Sequence, residues 1–139
     1  MIENAMIFSK ENGELLVSTT INYINPSAES FTESLNKIRD IATKLEKGIF
    51  NLELEDNLHA QIFAVKKTSI AFVFEGDDKK TISQWESVAK EIAYNFDKDF
   101  EAFVDNYEKR MEFKESMQKI IEWHKKELSP VDKMKDALW

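Results

Sequence analysis

The sequence predicts an α+β domain, a five-stranded antiparallel sheet in the element order β-β-α-β-β-β-α-α with helices on both faces. Three observations predict it. The stretch Ile49 to Glu75 holds three strand-like runs separated by two tight polar breaks. Ahead of it, Asn12-Gly13 stands between two apolar runs, the signature of a β-hairpin. On either side of it, segments 31–47 and 85–128 carry apolar residues at helical spacing.

The elements follow in order. Ala5–Phe8 is a short apolar strand, and Lys10-Glu11-Asn12-Gly13 is its turn, because Asn and Gly both tolerate positive φ. Glu14–Tyr23, rich in Leu, Val, Thr and Ile, is the second strand, and Asn25-Pro26-Ser27 ends it. Ser30-Phe31-Thr32-Glu33 matches a capping box, with hydroxyl and carboxylate each satisfying an orphan amide. Phe31, Leu35, Ile38, Ala42 and Leu45 then recur at steps of four and three, a stripe widened by Ile41. Lys44 and Lys47 in the last turn and Gly48 beyond it close a helix over 31–47.

In the meander, Phe50, Leu52 and Leu54 point one way and Asn51, Glu53 and Glu55 the other, the period of a half-buried strand. Leu58, Ala60, Ile62 and Ala64 share a face opposite His59, Gln61, Phe63 and Val65. In the third run Ile70, Phe72 and Phe74 oppose Ala71 and Val73, so both faces are apolar and need cover. This run belongs near the sheet centre, with Phe72 facing Ile92 in the core. Glu53 and Glu55 suit an edge, where charge discourages stray pairing, so Phe50–Leu54 is placed there.

Gly76–Lys80 is the exit turn, and Thr81-Ile82-Ser83-Gln84 offers a second capping box. Trp85, Val88, Ala89, Ile92, Phe96, Phe100, Phe103 and Tyr107 follow at helical spacing and face the sheet. Asp97-Lys98-Asp99 interrupts the stripe, with Asp99 on its apolar side, which predicts a bend at 97–100 and an aspartate cap. A second interruption falls at Glu108-Lys109-Arg110. Phe113, Met117, Ile120, Ile121, His124 and Leu128 then resume the stripe. Ser129-Pro130 marks a stop and a new start. The expected organisation is a single domain over 1–128 and a short helical tail over 129–139, whose Val131, Met134, Leu138 and Trp139 either dock back or bind a partner.

Composition narrows the function. A length of 139 residues suits one domain, and 42% apolar content suits a packed core. The net charge of -7 and the absence of a basic cluster argue against nucleic acid. No cysteine is present, which excludes disulfides, thiolate metal sites and a cysteine nucleophile. No stretch nears the roughly 20 apolar residues of a membrane span, and the start Met1-Ile2-Glu3-Asn4 is neither basic nor apolar enough for a signal. A cytoplasmic location is therefore expected.

No catalytic constellation stands out. His59 and His124 have no metal-ligand spacing, and the serines lie at caps or on polar helix faces. Asp77-Asp78 lacks calcium-loop spacing and reads as a solvated turn. No cofactor, metal site or enzyme activity is expected. Phe63, Phe72, Phe74 and Phe96 could instead line an apolar cavity, which makes a small-molecule sensor domain the alternative.

The hairpin AMIFSKENGELLVSTTI, the helix FTESLNKIRDIATKLEK, the meander and the segment WESVAKEIAYNFDKDFEAFVDNY together resemble the longin fold, as in the small sigma subunits of clathrin adaptors and the longin-type subunits of TRAPP tethering complexes. The related roadblock fold opens with a helix, whereas this chain opens with strands. The resemblance implies a non-enzymatic platform that pairs with itself or a related longin or roadblock-type subunit. It also implies a small Ras-like GTPase as a partner, in vesicle trafficking or signalling. In that layout the first meander strand is a sheet edge with helix 31–47 beside it. The residues expected to contact a partner are then Lys37, Ile41 and Lys44 on the helix and Asn51 and Glu53 on the strand.

Overall fold

The computed structural model describes residues 1–21, 31–55 and 57–127. The chain runs β1 (Ile2–Ser9), β2 (Leu15–Thr20), α1 (Thr32–Lys44), β3 (Gly48–Glu53), β4 (Leu58–Ala64), β5 (Thr68–Glu75), α2 (Lys79–Ser83), α3 (Glu86–Lys98), α4 (Phe100–Val104) and α5 (Tyr107–Glu127). Among the described residues the strands form one five-stranded sheet in the order β2-β1-β5-β4-β3, with every neighbouring pair antiparallel. The doubly apolar β5 is central, and the Glu-bearing β3 is an edge.

Alternation along the strands makes two cores. On one face Ile7, Phe63, Ile70, Phe72 and Phe74 pack with Trp85, Ile92, Phe96, Met117 and Ile121 from the later helices. Phe72 and Ile92 are both fully buried in this layer. On the other face Met6, Phe8, Ala60, Ile62, Ala71 and Val73 pack with Ile38 and Ala42 of α1. The neighbours of α1 are chiefly β4, β5 and β1, those of α3 are β5 and β4, and α5 lies on β2.

Polar ties also hold helices to strands. The Ser69 hydroxyl donates to the Ala42 carbonyl at 2.7 Å. The Gln61 side-chain amide donates to the Ile82 carbonyl at 2.8 Å, and Gln61 is fully buried. One Asp97 carboxylate oxygen accepts from the backbone N–H groups of Lys67 at 2.7 Å and Thr68 at 3.1 Å, clamping the end of α3 to the β4–β5 turn.

Several boundaries differ from the sequence reading. The helix expected over 31–47 ends at Lys44, and Leu45 turns extended while its N–H still bonds to Ile41. Gly48, at φ +96°, opens β3 instead of closing the helix. The cap of α2 is Asp78, whose carboxylate accepts from the Thr81 N–H at 2.8 Å, so Thr81 lies inside the helix rather than at its start. The bend expected at 97–100 is present at Asp99, but Asp99 is exposed and makes no side-chain cap bond, and Asp97 serves the β4–β5 turn. The second break falls at Asp105-Asn106, just ahead of 108–110. Arg110 reaches back to the carbonyls of Phe103 at 3.0 Å and Val104 at 2.7 Å, which explains a cation in an apolar stripe. Tyr107, expected in the core, is 65% exposed. Ser30 of the first capping box, Asn22 and Tyr23 of the second strand, and the whole tail 129–139 lie outside the described residues.

Candidate functional site

One outer rim of the sheet is built by β3, and the other by β2. Among the described residues the only strand neighbour of β3 is β4, paired from Gly48 opposite Ala64 to Glu53 opposite His59. Just past the strand the Leu54 N–H donates to the Leu58 carbonyl at 2.9 Å. In an antiparallel ladder a residue directs its N–H and C=O to the same side, and the next residue directs them to the other. Phe50, Leu52 and Leu54 therefore bond toward β4, and Ile49, Asn51 and Glu53 turn their backbone groups outward. The same alternation sorts side chains. Phe50 and Leu52 stand opposite Ile62 and Ala60 on the α1 face, and Ile49, Asn51 and Glu53 stand opposite Phe63, Gln61 and His59 on the α3 face.

The five expected contact residues fall into two sets. Asn51 and Glu53 are exposed, next to one another on the α3 face of β3. Lys37, Ile41 and Lys44 share one stripe of α1 on the opposite side of the sheet. Lys37 and Lys44 are exposed, and Lys44 pairs with Asp40 at 2.9 Å. Ile41 is half-buried against the α1-side core, together with Leu45, Leu52 and Leu54. Through that shared layer the helix stripe communicates with β3, although the axis of α1 lies over more central strands.

Phe50 is the residue sequence reasoning missed. Its alternation with Leu52 and Leu54 predicts a core position, yet it is 41% exposed. The reason is its row: α1 covers chiefly β4, β5 and β1, and Phe50 sits one strand further out. The signal available was its place in the Glu-bearing edge run, since an outermost strand has cover on one side only.

On the α3 face two surface grooves flank the strand. One of about 460 Å³ is lined by Asn51, Glu53, His59, Lys79, Ile82 and Ser83. The other, of about 480 Å³, is bordered by Lys47, Ile49, Phe63, Lys90 and Tyr94. Tyr94, 57% exposed, meets Phe63 edge-on at 5.6 Å. The rings that a sensor cavity would use are packed on other rings: Phe72 and Phe74 lie 5.8 and 6.0 Å from Trp85, and Phe96 lies 4.6 Å from Phe103. His124 is a structural group, its ring 4.7 Å from Trp85 and its Nε2 3.1 Å from the Gln84 carbonyl. Among the described residues no cluster of His, Asp and Glu could hold a metal, and no helix is long and apolar enough to cross a membrane.

Fold and rim together define an α+β domain with an antiparallel sheet, helices on both faces and an edge strand, β3, that pairs on one side only among the described residues and carries an exposed aromatic. No protein-family model matches the chain, and no curated protein matches it.

Proposed function

We propose that this chain is a non-enzymatic protein–protein interaction module of longin type, which offers β3 and the flank of α1 to a second copy or a related subunit. One observation carries the reading: Ile49, Asn51 and Glu53 turn their backbone N–H and C=O groups outward beside the exposed ring of Phe50. Such an edge binds an extended strand through main-chain hydrogen bonds, with neighbouring side chains setting specificity. The element order and the edge position of β3 support the longin reading. The ring-on-ring packing of Phe72, Phe74 and Phe96 favours it over a sensor with an apolar cavity. A small Ras-like GTPase is the second partner class, and the proposed setting is cytoplasmic trafficking or signalling.

The test is affinity capture from the native host with wild type, Asn51→Pro and Ile41→Asp. Proline at 51 removes one outward N–H and leaves the bonds to β4 in place, as an edge strand tolerates. The expected result is a longin-type subunit or GTPase retained by wild type and lost by both variants. A partner set unchanged by both substitutions overturns the proposal.

A further inference from the structure

We propose that the occupant of the β3 edge is a second copy of this chain, paired antiparallel in the register that sets Asn51 opposite Asn51 of the other copy. This rests on the reading of β3 as a partner edge, and it adds the partner and the register.

Symmetry limits the choices. A two-fold axis perpendicular to the sheet continues each sheet face across the junction. Residues that meet must then share a face, so odd-numbered positions of β3 meet odd-numbered ones and even meet even. Within β3 the outward backbone groups belong to Ile49, Asn51 and Glu53. With Asn51 on the axis, Ile49 meets Glu53, Asn51 meets Asn51 and Glu53 meets Ile49. Every outward residue of the strand then has a partner, and each such pair exchanges two backbone hydrogen bonds. Sliding the copies by one step in either direction leaves one outward residue of β3 beyond the end of its partner strand. The bond-richest register is therefore the one centred on Asn51.

Side chains support this register at Phe50 and at the strand ends. On the α1 face Phe50 meets Leu52 of the other copy, and the two symmetric pairs cover the ring that is 41% exposed in the single chain. Lys47 and Glu55, both exposed and just beyond the two ends of the strand, come near each other's counterparts where the paired strands end. Lys47 is also diagonal to the other copy's Glu53, within reach of a long side chain. The acidic residues that would repel an arbitrary edge thus find a cation in this register. Among the described residues the chief strand neighbours of α1 and α3 lie further in than β3.

The chain has no cysteine, so single cysteines report position directly. Asn51→Cys and Ile49→Cys would be treated with a short bis-maleimide, and self-association measured by light scattering. In the proposed register two copies of residue 51 lie about 5.5 Å apart, whereas two copies of residue 49 lie about 14 Å apart. The expected result is a cross-linked dimer from Asn51→Cys and little from Ile49→Cys. Lys47→Glu should weaken dimerisation roughly ten-fold, Glu55→Lys should do the same, and the double variant should recover it. A chain that stays monomeric at high concentration, or cross-links better at 49 than at 51, overturns the inference. If a monomeric chain still loses a captured partner on Asn51→Pro, only the second copy and its register fail. If Asn51→Pro alters neither self-association nor capture, the reading of the edge fails with them.

Discussion

Two phenylalanines separate the centre of the sheet from its rim, and truncating each measures the difference. Phe72 lies on the central strand with no exposed surface, edge-on to Phe74 at 6.3 Å and to Trp85 at 5.8 Å. Phe72→Ala removes a buried side chain worth about 1.5–3 kcal/mol in transfer from water. Edge-to-face ring contacts add about 0.5–1.5 kcal/mol. The space left lies between the sheet and α3, both fixed by further core residues, so collapse into it is limited. The expected loss is about 3–5 kcal/mol, the range of large-to-small core changes. Against a typical domain stability of about 5–15 kcal/mol, that is a large fraction. Phe50 lies on the outermost strand with 41% of its surface exposed, and Phe50→Ala should cost about 1 kcal/mol or less in the monomer. Urea unfolding checks both, followed by far-ultraviolet circular dichroism as well as fluorescence because Trp85 touches Phe72. Protein is diluted until self-association contributes nothing, and unchanged m-values confirm that the midpoints compare. A Phe72→Ala loss under about 1 kcal/mol, or equal losses at the two sites, refutes the placement of β5 at the centre.

Other expectations follow from the polar ties. Asp97→Ala unties the β4–β5 turn from α3 and should lose about 1.5–3 kcal/mol by urea unfolding, whereas Asp99→Ala, at an exposed bend, should stay close to wild type. The carbonyl of Ala42 is among the last four of α1, which lack helical partners, and Ser69 satisfies it at 2.7 Å; Ser69→Ala should lose about 1–3 kcal/mol in the same assay. At Asp78 the Thr81 backbone N–H, more than the charge of Lys80, holds the carboxyl below the usual aspartate range. A depressed folded-state value gives stability that is present above the unfolded value and lost as pH falls through the folded one. The melting temperature of Asp78→Ala should therefore fall short of wild type at neutral pH, and the gap should close in acid; a gap independent of pH refutes the cap.

Much of the architecture is local and was legible for that reason. Asn12-Gly13 specifies its own turn, the stripe from Leu35 to Ala42 specifies its own helix face, and alternation in 50–54, 58–65 and 70–74 specifies strands. Even the sheet order was partly written there: Ile70–Phe74 is apolar on both faces and so must be covered twice, while Glu53 and Glu55 need water. Asn51 and Glu53 were readable as outward-facing by the same parity. Tertiary structure decided what depends on distant groups. Asp97 looks like a cap in sequence, and only the approach of Lys67 and Thr68 makes it a turn clamp. Arg110 looks like a break, and only the nearby end of α4 supplies carbonyls for it. Gln61 reads as a surface position, and only α2 above it provides the Ile82 carbonyl that lets it be buried. Phe50 obeys the core alternation perfectly and is still exposed, because a residue's pattern fixes which face it takes, while the neighbouring elements decide whether that face is covered.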